Sequence, residues 1–140
     1  MKILIVDDVK GWRDYHSYIM NEMFSSNTFT PDIQTAESAR EGYDKLLENS
    51  EEPFDIIITD MQMENDFEPK YAGEWFIEQI KTFKNYSKTR VVIISAAYNI
   101  PMIAENYGVD YIRKSTARSF PDAYGFLLEQ YKKSDETRQN

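Results

Sequence analysis

The sequence contains no cysteine, which excludes disulfide bonds, thiolate metal ligands and cysteine nucleophiles, and which fits a reducing compartment. It also lacks an apolar run as long as a membrane span, and Met1 leads directly into a strand-like segment instead of a signal sequence. Positive charge is in the minority, with 16 Lys and Arg against 24 Asp and Glu and a net charge of -8. From the first two absences we expect a cytoplasmic protein without membrane partners. We also expect no nucleic-acid partner, because the negative net charge would on average repel a phosphate backbone.

The 140 residues suit one domain, and the sequence contains neither an internal repeat nor a linker. Five apolar runs, at residues 3–6, 32–35, 54–59, 91–95 and 109–113, alternate with amphipathic stretches. This alternation is typical of an α/β fold. Residues 56–58 and 91–94 are continuously β-branched, which indicates strands covered on both faces and hence a parallel sheet.

Apolar residues at helical spacing mark the segments between these runs. The predicted core-facing stripes are Trp12, Tyr15, Ile19 and Met23; Ala39, Tyr43, Leu46 and Leu47; Phe76, Ile80 and Phe83; and Tyr124, Leu127, Leu128 and Tyr131. Capping signals predict two helix starts, at Ser38 with Glu41 and at Ser119 with Pro121 and Asp122, and a helix end at Gly108. A fourth helix over 99–106 should be short. Residues 134–140 are polar, so we expect a frayed tail after a domain spanning 1–133.

Acidic residues directly follow two of the apolar runs. Asp7 and Asp8 end the first run, and Asp60 ends the third in FDIIITD. In an open parallel sheet the binding crevice lies beyond the carboxyl ends of the strands, so these carboxylates converge if the two strands are neighbours where the strand order reverses. Charges about 4 Å apart repel by roughly 4 kcal/mol at an effective dielectric near 20. A hard cation such as Mg²⁺ would relieve this repulsion, and its preference for phosphate oxygens predicts a phosphorylated partner.

Two further strand ends carry groups suited to phosphate. Ser95 ends the fourth run with a hydroxyl donor, and Lys114 follows the fifth run in YIRKS with an ammonium group for phosphoryl oxygens. Each also has a structural alternative, since Ser95 can satisfy backbone groups and Lys114 can be a surface lysine. His16, the single histidine, lies on an amphipathic stretch. We interpret it as a structural or exposed residue and not as a phosphate donor.

With these motifs the sequence resembles the receiver domain of two-component response regulators. The matching stretches are ILIVDD, AESAREGYDKLL, FDIIITDMQM, VVIISAA and GVDYIRK, and the resemblance covers residues 2–131. It implies a flavodoxin-like (CheY-like) doubly wound sheet of five parallel strands, in the order 2-1-3-4-5, with helices on both faces.

The resemblance implies that Asp60 is a phosphoacceptor. It would take a phosphoryl group from a phosphohistidine on a sensor histidine kinase or a histidine phosphotransfer protein, forming an acyl phosphate. Asp8, Asp60 and the backbone carbonyl of Gln62 would hold Mg²⁺, and Asp7 would complete the acidic pocket directly or through water. The protein would then be a signalling phosphoacceptor and not an enzyme acting on other molecules.

The resemblance also implies a readout. Ser95 and Lys114 would bind the phosphoryl oxygens, and Tyr111 would be an aromatic switch that turns inward when Ser95 moves, with core packing as an equal alternative. No DNA-binding segment follows, so the output is expected to be altered binding of a downstream protein that the sequence does not identify, or onward phosphotransfer.

The sequence departs from the family pattern in its loops. Glu64 stands where receivers usually carry proline, and the loop MENDFEPKYAG is longer than usual and adds Asp66 and Glu68 near the site. Ser115 replaces the proline that usually follows the lysine, which disfavours a cis peptide bond there. The segment between Ser95 and Lys114 is also short. These departures favour the main alternative, a pseudo-receiver that binds partners without being phosphorylated.

Two other classes fit the first strand end less well. An aspartyl-phosphate hydrolase would carry a second acid two residues after the first, where Val9 stands beyond Asp7. A flavodoxin-like cofactor site needs a small or hydroxyl-rich phosphate-binding loop, and Asp7 and Asp8 would repel the phosphate.

Overall fold

In the computed structural model, which describes residues 1–63 and 71–128, the five predicted strands form one parallel sheet. The strands are β1 (Lys2–Val6), β2 (Asp32–Ala36), β3 (Ile56–Thr59), β4 (Arg90–Ser95) and β5 (Asp110–Arg113). Their order is β2-β1-β3-β4-β5, which confirms the predicted flavodoxin-like topology. The strand order reverses at β1 and β3, where such folds place their binding crevice.

The helices pack on both faces of this sheet. They are α1 (Lys10–Phe24), α2 (Ala39–Glu48), α3 (Ala72–Thr82), α4 (Ile100–Tyr107) and α5 (Lys114–Ser119), with 3₁₀ helices at Lys84–Tyr86 and Pro121–Tyr124; residues 125–128 are also helical. Ile57 of β3 packs into the core with α2, α3 and α4, whereas its neighbours Ile56 and Ile58 pack into the core with α1, α5 and Tyr124. Both faces of the central strands are therefore covered, which explains why their sequences do not alternate.

Most of the predicted local signals are confirmed. The Ser38 hydroxyl accepts the Glu41 N–H at 3.1 Å at the start of α2, and Gly108 ends α4 in the left-handed region with φ of 65°, where glycine is favoured. No cis peptide bond occurs among the described residues, as Ser115 predicts. In those residues no helix combines the length and the apolar character needed to cross a bilayer.

Two predictions of local structure are wrong. Leu47, which was predicted to face the core, is 49% exposed. The buried residues of α2 are Ala39, Gly42 and Leu46, and Leu47 lies about 100° around the helix axis from Leu46. Ser119 is not a helix cap. It is the last residue of α5, and the next turn begins at Pro121 without a side-chain cap, because the chain turns helical directly after β5.

Some predictions concern parts of the chain that are not described. The acidic loop residues Glu64, Asp66 and Glu68, the core residue Tyr131 and the tail at 134–140 all lie outside the described residues.

Candidate functional site: an acidic cluster at the switch point

The strand register brings the predicted acidic residues to one level of the sheet. Val6, the last residue of β1, pairs with Thr59, the last residue of β3. Asp7 and Asp8, which follow β1, therefore lie next to Asp60, which follows β3. One carboxylate oxygen from each of these three residues lies within 4.8 Å of the others. Asp7 is 1% and Asp60 is 4% exposed, and Asp8 is half-buried.

Backbone groups fix two of these carboxylates. Oδ1 of Asp7 accepts the Val9 N–H at 2.9 Å, and Oδ1 of Asp60 accepts the Met61 N–H at 2.7 Å. In both residues the bonded N–H belongs to the turn that leaves the strand, so the side chain is held by its own loop. The second oxygen, Oδ2, of each carboxylate contacts Lys114.

Lys114, the first residue of α5, neutralises part of this charge. Its Nζ donates a hydrogen bond to Oδ2 of Asp60 at 2.8 Å and forms an ion pair with Oδ2 of Asp7 at 3.0 Å. Burial on its own lowers the pKa of Lys114, but the hydrogen bond and charge of Asp60, together with Asp7, outweigh burial and raise this pKa above its usual value. The amine is therefore held protonated.

The pKa of Asp7 is also raised, but for this acid the shift favours the neutral form. Burial raises its pKa, and the negative charge of Asp60 adds to this increase. The Val9 N–H and the Lys114 ammonium favour the charged form, but the pKa of Asp7 still remains above its ordinary value. A cation beside Asp7 would lower this pKa by stabilising the carboxylate.

The donor set fits a hard divalent cation. The cluster offers three carboxylate oxygens within 4.8 Å, and the buried Oδ2 of Asp7 has the Lys114 ammonium, 3.0 Å away, as its polar contact in the described residues. With all groups ionised, the three carboxylates and one ammonium carry a net charge of -2. Gln62, whose carbonyl was a predicted ligand, follows in the same loop and donates its N–H to Asp60 at 3.3 Å.

Ser95 and Tyr111 lie on the neighbouring strands. Ser95 is buried at the end of β4, and its hydroxyl accepts the Ala97 N–H at 3.2 Å, so it does satisfy a backbone group. Tyr111 is 43% exposed on β5, so the alternative that it is a core residue is wrong.

His16 is structural and lies inside the protein. It is 1% exposed, and its Nδ1 lies 2.7 Å from the Tyr124 hydroxyl, which ties α1 to the 3₁₀ helix at Pro121–Tyr124. Burial, with a smaller effect of the Lys114 charge, lowers the pKa of His16 to about 3. The histidine is therefore neutral at physiological pH.

Two residues that position the site have no motif in the sequence. Arg13 donates to the backbone carbonyl of Asp7 at 2.9 Å. Gly73 donates its N–H to the Met61 carbonyl at 3.0 Å, and a Cβ at this position would lie 2.1 Å from the Asp60 carbonyl oxygen. Only glycine therefore allows α3 to start so close to the Asp60 loop. The glycine in KYAG is visible in the sequence, but its contact depends on the tertiary fold.

The family model for the response regulator receiver domain matches residues 3–119. The chain belongs to the response regulator receiver domain family. The matched range includes all three clustered carboxylates, Ser95 and Lys114.

Solved receiver domains share this fold. A signal receiver domain of a two-component signal transduction histidine kinase from Clostridium thermocellum matches with a TM-score of 0.66 at 19% identity, over 90% of this chain and 96% of that chain. A two-component response regulator from Legionella pneumophila matches with a TM-score of 0.65 at 17% identity, over 93% and 98%. The BeF3-activated DrrB receiver domain matches with a TM-score of 0.62 at 20% identity, over 96% and 97%. No curated protein matches this receiver domain.

Proposed function

We propose that this receiver domain is the phosphoacceptor of a two-component or phosphorelay pathway, and that Asp60 accepts a phosphoryl group from a sensor histidine kinase or a histidine phosphotransfer protein. The observation that carries the proposal is the contact of Lys114 with both Asp60 and Asp7 beside a third carboxylate. An acceptor carboxylate needs nearby positive charge to receive a phosphoryl group, and this arrangement provides it.

Each residue has a defined role in the transfer. A carboxylate oxygen of Asp60 forms a bond to phosphorus while the N–P bond of the partner's phosphohistidine breaks, and the leaving imidazole takes the electron pair. Asp8, Asp60 and the Gln62 carbonyl, with Asp7 adjacent, would hold Mg²⁺, which would supply charge neutralisation at the phosphoryl oxygens. Lys114 pairs with one of those oxygens, and the Ser95 hydroxyl donates to another.

The acyl phosphate then shifts a conformational equilibrium of the domain at residues 1–133, which the tail at 134–140 follows. Ser95 and Tyr111 are the proposed switch residues, and their places at the end of β4 and on the adjacent β5 support this assignment. The output is altered binding of a downstream protein in the cytoplasm, without action on other substrates.

The direct test is the intact mass of the protein after incubation with Mg²⁺ and acetyl phosphate. Wild type should gain one phosphoryl group, Asp60→Asn should gain none, and Asp122→Asn, which changes an exposed aspartate, should match wild type. The same proteins should then be offered a phosphorylated histidine phosphotransfer protein. No gain by wild type from either donor would identify a pseudo-receiver instead.

A further inference from the structure

The ammonium group of Lys114 has a third neighbour besides Asp60 and Asp7. Its Nζ lies 5.1 Å from the centroid of the Trp12 ring, within the distance of about 6 Å at which a cation is attracted to an aromatic face. Lys114 has a flexible four-carbon side chain, and only 12% of that side chain is exposed. The two carboxylates and the indole therefore limit where the ammonium can move.

The Trp12 ring is itself held in place. It lies 5.4 Å from the His16 ring and 5.8 Å from the Tyr15 ring, measured between centroids. The Tyr15 hydroxyl donates to the carbonyl of Ala117 in α5 at 2.7 Å, and His16 contacts Tyr124. These contacts join α1 to the segment that carries Lys114, so the indole has a fixed position relative to the start of α5.

A second cation also lies against this ring. The guanidinium of Arg118 is 5.6 Å from the Trp12 centroid, and Arg118 lies one helical turn after Lys114 on α5. Trp12 is thus partly buried beside α5. Of the two basic side chains near its ring, Lys114 contacts the acidic cluster and Arg118 is exposed at the surface.

We propose that Trp12 is a positioning residue for Lys114, whose ammonium it confines next to Asp60 and the incoming phosphoryl oxygens. This inference rests on the proposed phosphoacceptor function. Loss of the Asp60 charge on acylation would weaken the hydrogen bond that now holds Lys114. The indole, which carries no charge that changes, would keep the ammonium at the site during that exchange of partners.

The first test requires no phosphorylation. In NMR spectra of wild type, the Lys114 methylene protons should be shifted upfield by the indole ring current. Trp12→Leu should abolish this shift, Trp12→Phe should retain part of it, and the control Trp75→Leu, on the opposite face of the sheet, should leave it unchanged. Lys114 signals that are insensitive to Trp12→Leu would overturn the proposal.

The second test measures the coupling between the two residues. Phosphorylation rates with Mg²⁺ and acetyl phosphate, which excludes any partner protein, should be compared for wild type, Trp12→Leu, Lys114→Ala and the double variant. Trp12→Leu should slow the reaction about three- to tenfold when Lys114 is present, and should cause no further loss in Lys114→Ala. Trp12→Phe, the variant that best preserves packing, should be intermediate.

An equal loss in both backgrounds would overturn the proposal, because Trp12 would then act independently of Lys114. If wild type is not phosphorylated at all, the proposed function fails, whereas the NMR comparison still decides whether Trp12 positions the lysine.

Discussion

Acidification should destabilise this protein through its single histidine. His16 is 1% exposed, its Nδ1 contacts the Tyr124 hydroxyl at 2.7 Å, and its Nε2 has no hydrogen-bond partner within the described part of the chain. Burial, assisted by the positive charge of Lys114, lowers the pKa of His16 from 6.5 to about 3. The folded state therefore has no favourable place for the proton.

The sign of the effect follows from proton linkage. Between pH 6.5 and about 3 the unfolded chain binds a proton at His16 and the folded chain does not, so the free energy of unfolding decreases as pH falls through this range. Lowering the pH from about 7.5 to about 5 should therefore remove about 2 kcal/mol through His16 alone. This is a large fraction of the stability of a typical domain.

The assay is urea unfolding of wild type and His16→Gln at both pH values, with His16→Phe as a second variant without a titratable group. Carboxylates titrate in all three proteins, so their contribution cancels when the pH-dependent losses are compared. Wild type should lose about 2 kcal/mol more than either variant. The same loss in all three proteins would refute the argument that His16 is buried in its neutral form.

Three further predictions concern the site and its scaffold. Gly73→Ala should lower the free energy of unfolding by roughly 1–3 kcal/mol, the usual cost of overpacking, because its Cβ would overlap the Asp60 carbonyl. A variant as stable in urea as wild type would contradict this. Ser38→Ala should cost about 1 kcal/mol through the lost helix cap, whereas Ser119→Ala, which removes no side-chain cap, should cost little in the same assay. Mg²⁺ should raise the melting temperature of wild type by binding the folded state, and Asp8→Asn should reduce this increase; equal increases would argue against Asp8 as a ligand.

The fold could be predicted from the sequence because burial dictates its pattern. The β-branched runs at 56–58 and 91–94 can bury all of their side chains only in strands that are covered on both faces. The structure places these runs in β3 and β4. Local details were less predictable. Leu47 has the spacing of a core residue. The face of α2 that packs against the core contains Gly42, where a Cβ would lie 3.0 Å from the Phe76 ring, and Leu47 lies on a different face.

For the candidate site, too, the clustered residues could be predicted from the sequence but their detailed contacts could not. Asp7, Asp8 and Asp60 were identifiable because parallel strands end at a common edge, so residues at strand ends become neighbours. The contacts of Lys114 with Trp12 and Asp7, and that of Gly73 with the Asp60 loop, could not be predicted. They depend on how α1, α3 and α5 pack, and spacing along the chain does not specify this.

Under the proposed function, the charges of the site explain why both a cation and Lys114 would be needed. The ionised cluster of three carboxylates and one ammonium carries a net charge of -2, so one divalent cation would make it neutral before the phosphoryl group arrives. A phosphoryl group on Asp60 would bring back about two negative charges while Asp60 lost its own, and Lys114 would then exchange a carboxylate for a phosphoryl oxygen. Because Lys114 is the first residue of α5, this exchange would act on the helix directly. In the proposed function, phosphorylation would therefore be read out at the start of α5, with Trp12 limiting how far the ammonium can move.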